Sequence, residues 1–273
     1  MNKKSFSVPV LTYHHVNKDG HFINVKPQIF ENHIRYLNEH GFTALQTGDL
    51  LKIFNGHHMP PKRPVMITFD DGWLDNWVYA FPILKKYGFK AVVFVITSLI
   101  AEKGRRQRTD ESIPSFLPSH KECQKMIEAG LASEVMLSWE ELREMENSGL
   151  IDVQSHTHAH IRWDKLYNDH KMKLDALNQD LKLSKETIEK RLDKKCNALC
   201  WPWGMYNKDY IDSASSSGYE LLFTTEKGTN VPVTEQWRVR RLAIGNISTL
   251  TLRKKLFIHS RDWLSKAYLK IFK

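Results

Sequence analysis

Apolar and polar positions fall in blocks along the chain, and the blocks switch between two periods. Short apolar runs occupy residues 8–13, 65–69, 91–97, 151–154, 198–201, 221–225 and 238–244. Runs of this length bounded by turn residues read as buried strands. The stretch AVVFVIT at 91–97 is continuous and β-branched, which suits a strand covered on both faces. Between the runs the spacing becomes helical. Ile29, Phe30, Ile34 and Leu37 share a face over 27–40, with Gly41 as a stop. Residues 74–87 read as a helix up to Gly88, and Pro82 inside it predicts a local distortion. Ser119-x-x-Glu122 and Ser138-x-x-Glu141 are capping boxes, each opening a helix. Leu174, Leu177, Leu181, Ile188 and Leu192 mark one face of a long helix over 168–192. Residues 102–118, mixed in charge and interrupted by prolines, read as an inserted loop. Strand and helix alternate without an internal repeat, so the fold class is α/β, a parallel barrel or a doubly wound sheet. We favour the barrel. At 273 residues one domain over 1–249 is long enough for it, followed by a basic amphipathic helix over 250–273.

Composition narrows the partners. With 41% hydrophobic and 26% charged residues the chain folds, and no apolar stretch approaches the ~18 residues of a membrane span. The first ten residues are basic but carry no long apolar core, so no signal peptide is read and a cytoplasmic location is expected. Three cysteines, Cys123, Cys196 and Cys200, give no disulfide framework and suit a reducing compartment. Cys196 and Cys200 have too few soft ligands nearby for a structural zinc. The net charge is 40 − 31 = +9, and residues 250–273 hold seven Lys/Arg against one acid, which is +6 of it. The body is therefore close to neutral, which argues against a nucleic-acid partner; a monomer is expected. In the basic tail Leu252, Leu256, Trp263, Leu264, Tyr268 and Ile271 recur near helical spacing, with Phe257 and Phe272 adding apolar surface. Two readings stand: a helix packed on the barrel, or an interfacial helix lying on the cytoplasmic face of a membrane.

Three clusters follow apolar runs, where the C-terminal ends of parallel strands would gather them. The first is Thr68-Phe69-Asp70-Asp71-Gly72. Asp-Asp-Gly alone is ordinary turn chemistry. Two carboxylates closing a buried strand, however, call for a cation between them. The second is His156-Thr157-His158-Ala159-His160. On a helical turn an i, i+4 pair puts both imidazoles within reach of one ion, with His158 on the far side. A lone pair of this spacing is commonly just solvated. Two histidines with one aspartate, though, make three ligands and an open position, the pattern of a catalytic zinc, and leave a second carboxylate as a base. The third cluster, Cys200-Trp201-Pro202-Trp203-Gly204-Met205-Tyr206, reads as a strand end closed by a turn, or as an aromatic pocket wall suited to sugar rings.

TFDDG at 68–72, SHTHAH at 155–160 and WPWG at 201–204 together resemble the polysaccharide deacetylases of carbohydrate esterase family 4. The likeness runs from VPVLTYHHV to about residue 245, and WPWG is similar to the branch acting on β-1,6-linked poly-N-acetylglucosamine. The resemblance implies a distorted, incomplete (β/α) barrel and metal-dependent removal of acetyl groups from N-acetylated sugars. By position it makes Asp70 the general base and Asp71, His156 and His160 the ligands of one divalent ion, Zn2+ foremost, with Co2+ or Ni2+ as alternatives. Such a metal polarises the amide carbonyl and acidifies water, Asp70 takes the proton, and a backbone N–H of the Trp203 turn helps hold the oxyanion. Trp201, Trp203, Tyr206 and His14 are the substrate-binding candidates. Two departures from the family pattern stand out. Cys200 lies where many members carry an arginine against the catalytic carboxylate, so Arg240 or Arg241 is expected to take that role, with Arg241 favoured. No late motif supplies an acid histidine, which leaves Asp70 itself, His14, His15 or His158 as proton donors. The substrate is expected to be an N-acetylated glycan or a lipid-linked sugar. Two alternatives stay open: a deformylase or amidase on a lipid-linked sugar or small cyclic amide, and a non-catalytic carbohydrate-binding barrel.

Overall fold

The computed structural model describes residues 7–19, 23–112, 117–231 and 236–271. Its strands in chain order are β1 (Val10–Tyr13), β2 (His15–Val16), β3 (Asn24–Val25), β4 (Thr43–Ala44), β5 (Pro64–Phe69), β6 (Ala91–Val95), β7 (Ile151–Ser155), β8 (Ala198–Cys200), β9 (Leu221–Phe223) and β10 (Leu242–Ala243). The first helices are α1 (Pro27–Glu39), α2 (Thr47–Phe54), α3 (Phe81–Tyr87), α4 (His120–Glu128), α5 (Ala132–Val135) and α6 (Trp139–Asn147). They are followed by α7 (Trp163–Leu166), α8 (His170–Leu192), α9 (Lys208–Ser216), α10 (Thr249–His259) and α11 (Asp262–Ile271).

The main sheet runs β10-β1-β5-β6-β7-β8-β9, with β4 paired to the start of β5, and every pairing is parallel. It curls until Phe94 of β6 meets Phe223 of β9 at 4.9 Å between ring centres, although the two strands are not neighbours. Between β9 and β10 the described residues make one bridge, Phe223 with Val239, so the ring is an incomplete (β/α) barrel. Strand periodicity sorts the two faces. Val92 and Phe94 point inward with Val10, Met66, Cys200 and Phe223, while Val93 and Val95 join Ile67, Val153 and the helices in the larger outer core. All residues of β5 and β6 are buried, as their unbroken apolar runs require. Each large apolar side chain so placed contributes about 1.5–3 kcal/mol over its exposed state.

Local signals account for most helix ends. Both capping boxes form: the Ser119 and Ser138 hydroxyls accept from Glu122 and Glu141 N–H. The distortion expected at Pro82 is a π-helical turn over Asn76–Ala80, after which Pro82 sits in the first turn of α3, where its missing N–H costs nothing. Helices α2 and α9, of eight and nine residues, were not anticipated. The segment read as an insertion is irregular where described (113–116 lie outside the described residues), and it is pinned to α6. Arg106 makes two bonds of 2.7 Å to Glu141, and Arg108 reaches Glu144 at 2.5 Å.

The tail is not one helix. It breaks at Ser260 and Arg261 into α10 and α11, with His259 Nδ1 and Ser265 Oγ 2.7 Å apart across the corner. Leu252 and Leu256 belong to the main core, whereas Phe257, Trp263 and Ile271 are more than half exposed. Apolar positions that share one periodic pattern thus serve two surfaces once the axis bends. Among the described residues no helix is long and apolar enough to cross a membrane.

Candidate active site

The three sequence clusters meet at one end of the barrel, where β5, β7 and β8 all finish. A cavity of about 600 Å³ opens there, its wall including His14, Asp70, Asp71, His156, His160 and Arg241. Asp70 and Asp71 follow β5 directly. The chain turns sharply, with Asp71 at φ 76° and Gly72 at φ 88°. A side chain at Gly72 would also meet Val95 and Ile100 at 3.1 Å, so glycine is needed twice over.

Asp70 and Asp71 are both buried, and they are compensated differently. Arg241 reaches Asp70 through two bonds, Nη1 to Oδ1 at 2.7 Å and Nη2 to Oδ2 at 2.9 Å, and its own Nε donates to the Thr224 carbonyl at 2.8 Å. Of the two arginines considered, Arg241 is thus the one that stands against this carboxylate. Arg240 instead turns to the Thr229 carbonyl and to Glu226. Burial alone would raise the Asp70 carboxyl, but Arg241, His156 and His14 outweigh it and hold it below the ordinary carboxylate value. His14 Nε2 stands 3.9 Å from Asp70 Oδ2.

Asp71 faces the histidines. Its Oδ1 is 3.4 Å from His156 Nε2 and 3.8 Å from His160 Nε2, and its Oδ2 accepts from Trp73 Nε1 at 2.8 Å. His156 is oriented from behind: Nδ1 donates to the Cys200 carbonyl at 2.8 Å, which turns Nε2 toward Asp71. Burial and then the neighbouring His156 push His160 down to about 4, so its ring is neutral at neutral pH, the form that ligates a metal. Asp71 moves below the usual carboxylate range, because His156, His14 and His160 overcome its burial. At His156 burial is itself outweighed by Cys200 and Asp71, so the ring is driven toward the charged form. The acidic pair draws a positive charge to this point, as a proton or as an ion.

The donor atoms of Asp71, His156 and His160 lie within 4.8 Å of one another, a spacing that one cation can bridge. An overlapping trio, Asp70, His156 and Cys200, has the same compactness. It suits a cation less well. Arg241 already occupies both Asp70 oxygens, and burial pushes the Cys200 thiol up, away from thiolate. The carboxylate–imidazole set is therefore the better fit to a zinc-like ion.

The histidine motif is not a helical turn. It is an irregular loop with Thr157 at φ 68° and His160 at φ 51°. Its support comes from the polar side of α8, a helix whose spacing predicts only an apolar face. Asp180 accepts from the His158 and Ala159 N–H groups at 2.9 and 2.8 Å, and Ser184 meets Ser155 at 2.7 Å. Asp180 was legible only as one polar residue on the long helix. Four of the five described non-glycine residues with positive φ, Asp71, Thr157, His160 and Trp203, lie in this site. Such conformations persist where surrounding structure over-determines them.

The aromatic wall is divided. Trp203 is the exposed platform, about 50% accessible, with its ring centre 4.1 Å from that of His160. Gly204 lets the backbone pass Thr225, where any side chain would collide at 1.9 Å. Trp201 touches the cavity but is 2% exposed and packs toward Tyr210. Tyr206 does not line the cavity; its hydroxyl donates to Glu226 and accepts from Arg238. The Gly204 and Met205 N–H groups close the turn on the Trp201 and Pro202 carbonyls, whereas the Trp203 N–H makes no hydrogen bond to a described residue. Of the other proton-donor candidates, His15 is fully buried on Asp75, and His158 turns to Thr97 at 2.9 Å; neither reaches the cavity.

An open barrel of parallel strands, with two carboxylates, two imidazoles and an indole platform at its C-terminal mouth, defines a barrel hydrolase-type site facing a polar ligand. The chain belongs to the polysaccharide deacetylase family, whose sequence profile matches residues 57–222, more than half its length. It is similar to the poly-β-1,6-N-acetyl-D-glucosamine N-deacetylase of Staphylococcus epidermidis, 29% identical over 238 residues that span 85% of this chain and 72% of that one. Its Staphylococcus aureus MRSA252 counterpart is 26% identical over 263 residues, covering 89% and 80%. Among solved structures, the Streptococcus pyogenes deacetylase PplD in complex with acetate superposes with a TM-score of 0.72, at 24% identity over 92% of this chain and 99% of that one. IcaB from Ammonifex degensii gives 0.70 at 22% identity, covering 93% and 98%. Both share this fold.

Proposed function

We propose that the protein is a metal-dependent N-deacetylase of N-acetylglucosamine units, in a β-1,6-linked polymer or a lipid-linked precursor of one. The observation that carries the reading is the division of labour between adjacent carboxylates: Asp71 faces two imidazoles, while Asp70 is clamped by Arg241. The names of the staphylococcal relatives support the substrate class.

Asp71, His156 and His160 would hold the ion, which supplies Lewis-acid activation of the amide and acidification of water. Asp70, kept ionised by Arg241, accepts the proton as water attacks the carbonyl carbon. The Arg241 clamp also prevents Asp70 from turning into the ligand set. His14, on the cavity wall beside Asp70, is placed to return a proton to the departing amine as the C–N bond breaks. Acetate and a free amino sugar leave, and Trp203 offers its face to the sugar ring.

The test pairs bound-metal content with acetate release from N-acetylglucosamine oligomers. About one ion per chain, lost in His156→Ala and His160→Ala together with acetate release, supports the reading. Acetate release that persists without metal would overturn it.

The exposed faces of α10 and α11 support a second element of the proposal, contact with an anionic membrane. On α11, Trp263, Lys266, Lys270 and Ile271 share one stripe at i, i+3, i+7 and i+8, and all are exposed. On α10, Leu250, Arg253, Lys254 and Phe257 do the same. Apolar anchors interleaved with cations are the pattern of an interfacial helix. Phe257→Ser with Trp263→Ser should reduce cosedimentation with phosphatidylserine vesicles; equal recovery would remove this element.

A further inference from the structure

The far wall of the active-site cavity is a helix that the chemistry above does not use. Helix α4 presents His120, Gln124 and Glu128 to it, at i, i+4 and i+8, so one continuous stripe faces the space. Ile127, one turn along the same face, and Leu99 add apolar surface beside the stripe.

The helix is fixed in place with unusual care for a surface element. A capping box starts it. Cys123 anchors its other face in a small core with Trp73, Val135 and Met136. His120 is set by a buried chain of hydrogen bonds. Asp75 accepts from His15 Nδ1 at 2.6 Å, and His15 Nε2 meets His120 Nδ1 at 3.0 Å. Asp75 also takes the Val16 N–H and the Asn76 amide, so both of its oxygens are engaged. Burying a carboxylate and an imidazole is costly unless they are bonded in this way. The outcome of the arrangement is one imidazole held at a chosen place on the cavity wall.

Trp73 connects this wall to the reaction centre. Its ring stacks on His15 at 4.3 Å, and its N–H holds the Asp71 carboxylate. The α4 stripe and the ligand set are thus two ends of one rigid unit around a cavity of about 600 Å³, inside the roughly 300–1,000 Å³ range of pockets that enclose whole ligands.

We infer that the α4 stripe is a binding subsite for a neighbouring sugar of the same glycan chain, so that it selects oligomers over single sugars. The inference rests on the deacetylase reading for what sits at the other end of the cavity. The chemistry of the wall names the ligand class. The Gln124 amide and the Glu128 carboxylate, one turn apart, offer donors and acceptors to ring hydroxyls, while Ile127 and Leu99 meet the apolar face of a pyranose. Glu128 is exposed on the cavity wall, where its oxygens face water or a ligand.

Gln124 and Glu128 are exposed helix positions, so Gln124→Ala with Glu128→Ala should fold as the parent does. The measurement compares acetate release from N-acetylglucosamine and from its β-1,6-linked tetramer. The double variant should lose about tenfold in kcat/KM on the tetramer, through KM, which corresponds to one or two net hydrogen bonds. Its kcat and its rate on the monomer should not move. An unchanged tetramer-to-monomer ratio would overturn the subsite. Tetramer binding to the Asp70→Asn chain separates the two readings. Length-dependent binding lost in the double variant upholds the subsite even if no acetate is released, which would count against the deacetylase reading alone. Binding independent of length, or retained in the double variant, would overturn the subsite.

Discussion

Strand β7 carries a buried charge cluster at each end, and the two clusters are built on opposite principles. At its start, Asp152 accepts from the Thr47 hydroxyl and N–H, from Gln154 and from Lys194 at 2.5 Å, and Lys194 also reaches Glu146 at 2.8 Å. Each charge there has its partner, and one non-glycine residue beside it, Asp193 at the end of α8, has a positive φ. At its end, His156 joins Asp70, Asp71 and His160, with Arg241 as the one fixed cation against two carboxylates. The backbone there is strained at four positions. A cluster that closes on itself is scaffold. A cluster whose donor atoms converge on a point, at a cost in conformation, is a site. Barrel architecture assigns the ends in the same way, with chemistry at the C-terminal ends of strands and stability at the other.

The largest effects should separate the two ends by activity. Asp70→Asn should lower acetate release by roughly 10²–10⁴-fold, the usual contribution of a positioned general base. Metal content should stay at the parent level, because Asp70 is outside the chosen ligand set. Asp152→Asn at the other end should cost stability and leave turnover per folded molecule near normal. Equal loss of turnover in both variants, measured by a fixed-time acetate assay on folded protein, would dissolve the distinction.

Next come the two cations. Arg241→Met leaves Asp70 buried without its partner, and breaking such a pair costs about 3–5 kcal/mol. The variant should therefore unfold at lower denaturant and also lose turnover while still binding metal. Lys194→Met should cost less, since Asp152 keeps its bonds from Thr47 and Gln154. It should keep its activity. Urea unfolding with a parallel activity assay checks both.

A smaller effect concerns the loop that carries the histidines. Asp180→Asn keeps one acceptor of the two that hold the His158 and Ala159 N–H groups. Metal affinity should fall by about tenfold, the low end for outer-shell changes. Competition with a chelator reads this directly, and an unchanged affinity would show that the loop holds its shape without α8.

The sequence was most readable where a single physical signal acts alone. Apolar runs located the seven principal strands because strands buried on both faces need no partner pattern. The capping boxes placed α4 and α6, and the resemblance placed Asp70, Asp71, His156 and His160. Contacts between distant segments were harder. Arg241 is favoured over Arg240 from the sequence, but only the fold supplies the reason: Arg241 reaches Asp70 while Arg240 turns to Thr229 and Glu226. Tyr206 and Trp201 shared a motif with Trp203, yet a tight turn gives each a different surface. The helical reading of His156 and His160 failed because Asp180, twenty residues on, stabilises a loop that propensity does not favour. The tail pattern hid a bend, since apolar spacing reports which residues are buried and not whether the axis stays straight.

The finest distinction between the ends is how the lower cluster responds to pH. Burial disfavours the Lys194 ammonium, but Asp152 and Glu146 outweigh it and raise it above the ordinary lysine value of 10.5. A lysine raised in the fold contributes stability that is fully present below its unfolded value and lost as pH rises through its folded one. The advantage of the parent over Lys194→Met should thus hold steady from pH 7 to 9 and shrink above about 10.5. Glu146 adds a term in a lower window. Burial raises its carboxyl above 4.5 in spite of Lys194 and the Val153 N–H. Its contribution is complete below 4.5 and fades as pH rises through the raised value. The parent, compared with Glu146→Gln, should therefore be relatively more stable at pH 4.5 than at pH 7.5, by urea midpoint at each. A difference that stays flat would mean that the carboxylate is solvated in the fold. The lower cluster would then be a surface network, and the contrast between the two ends of β7 would rest on backbone strain alone.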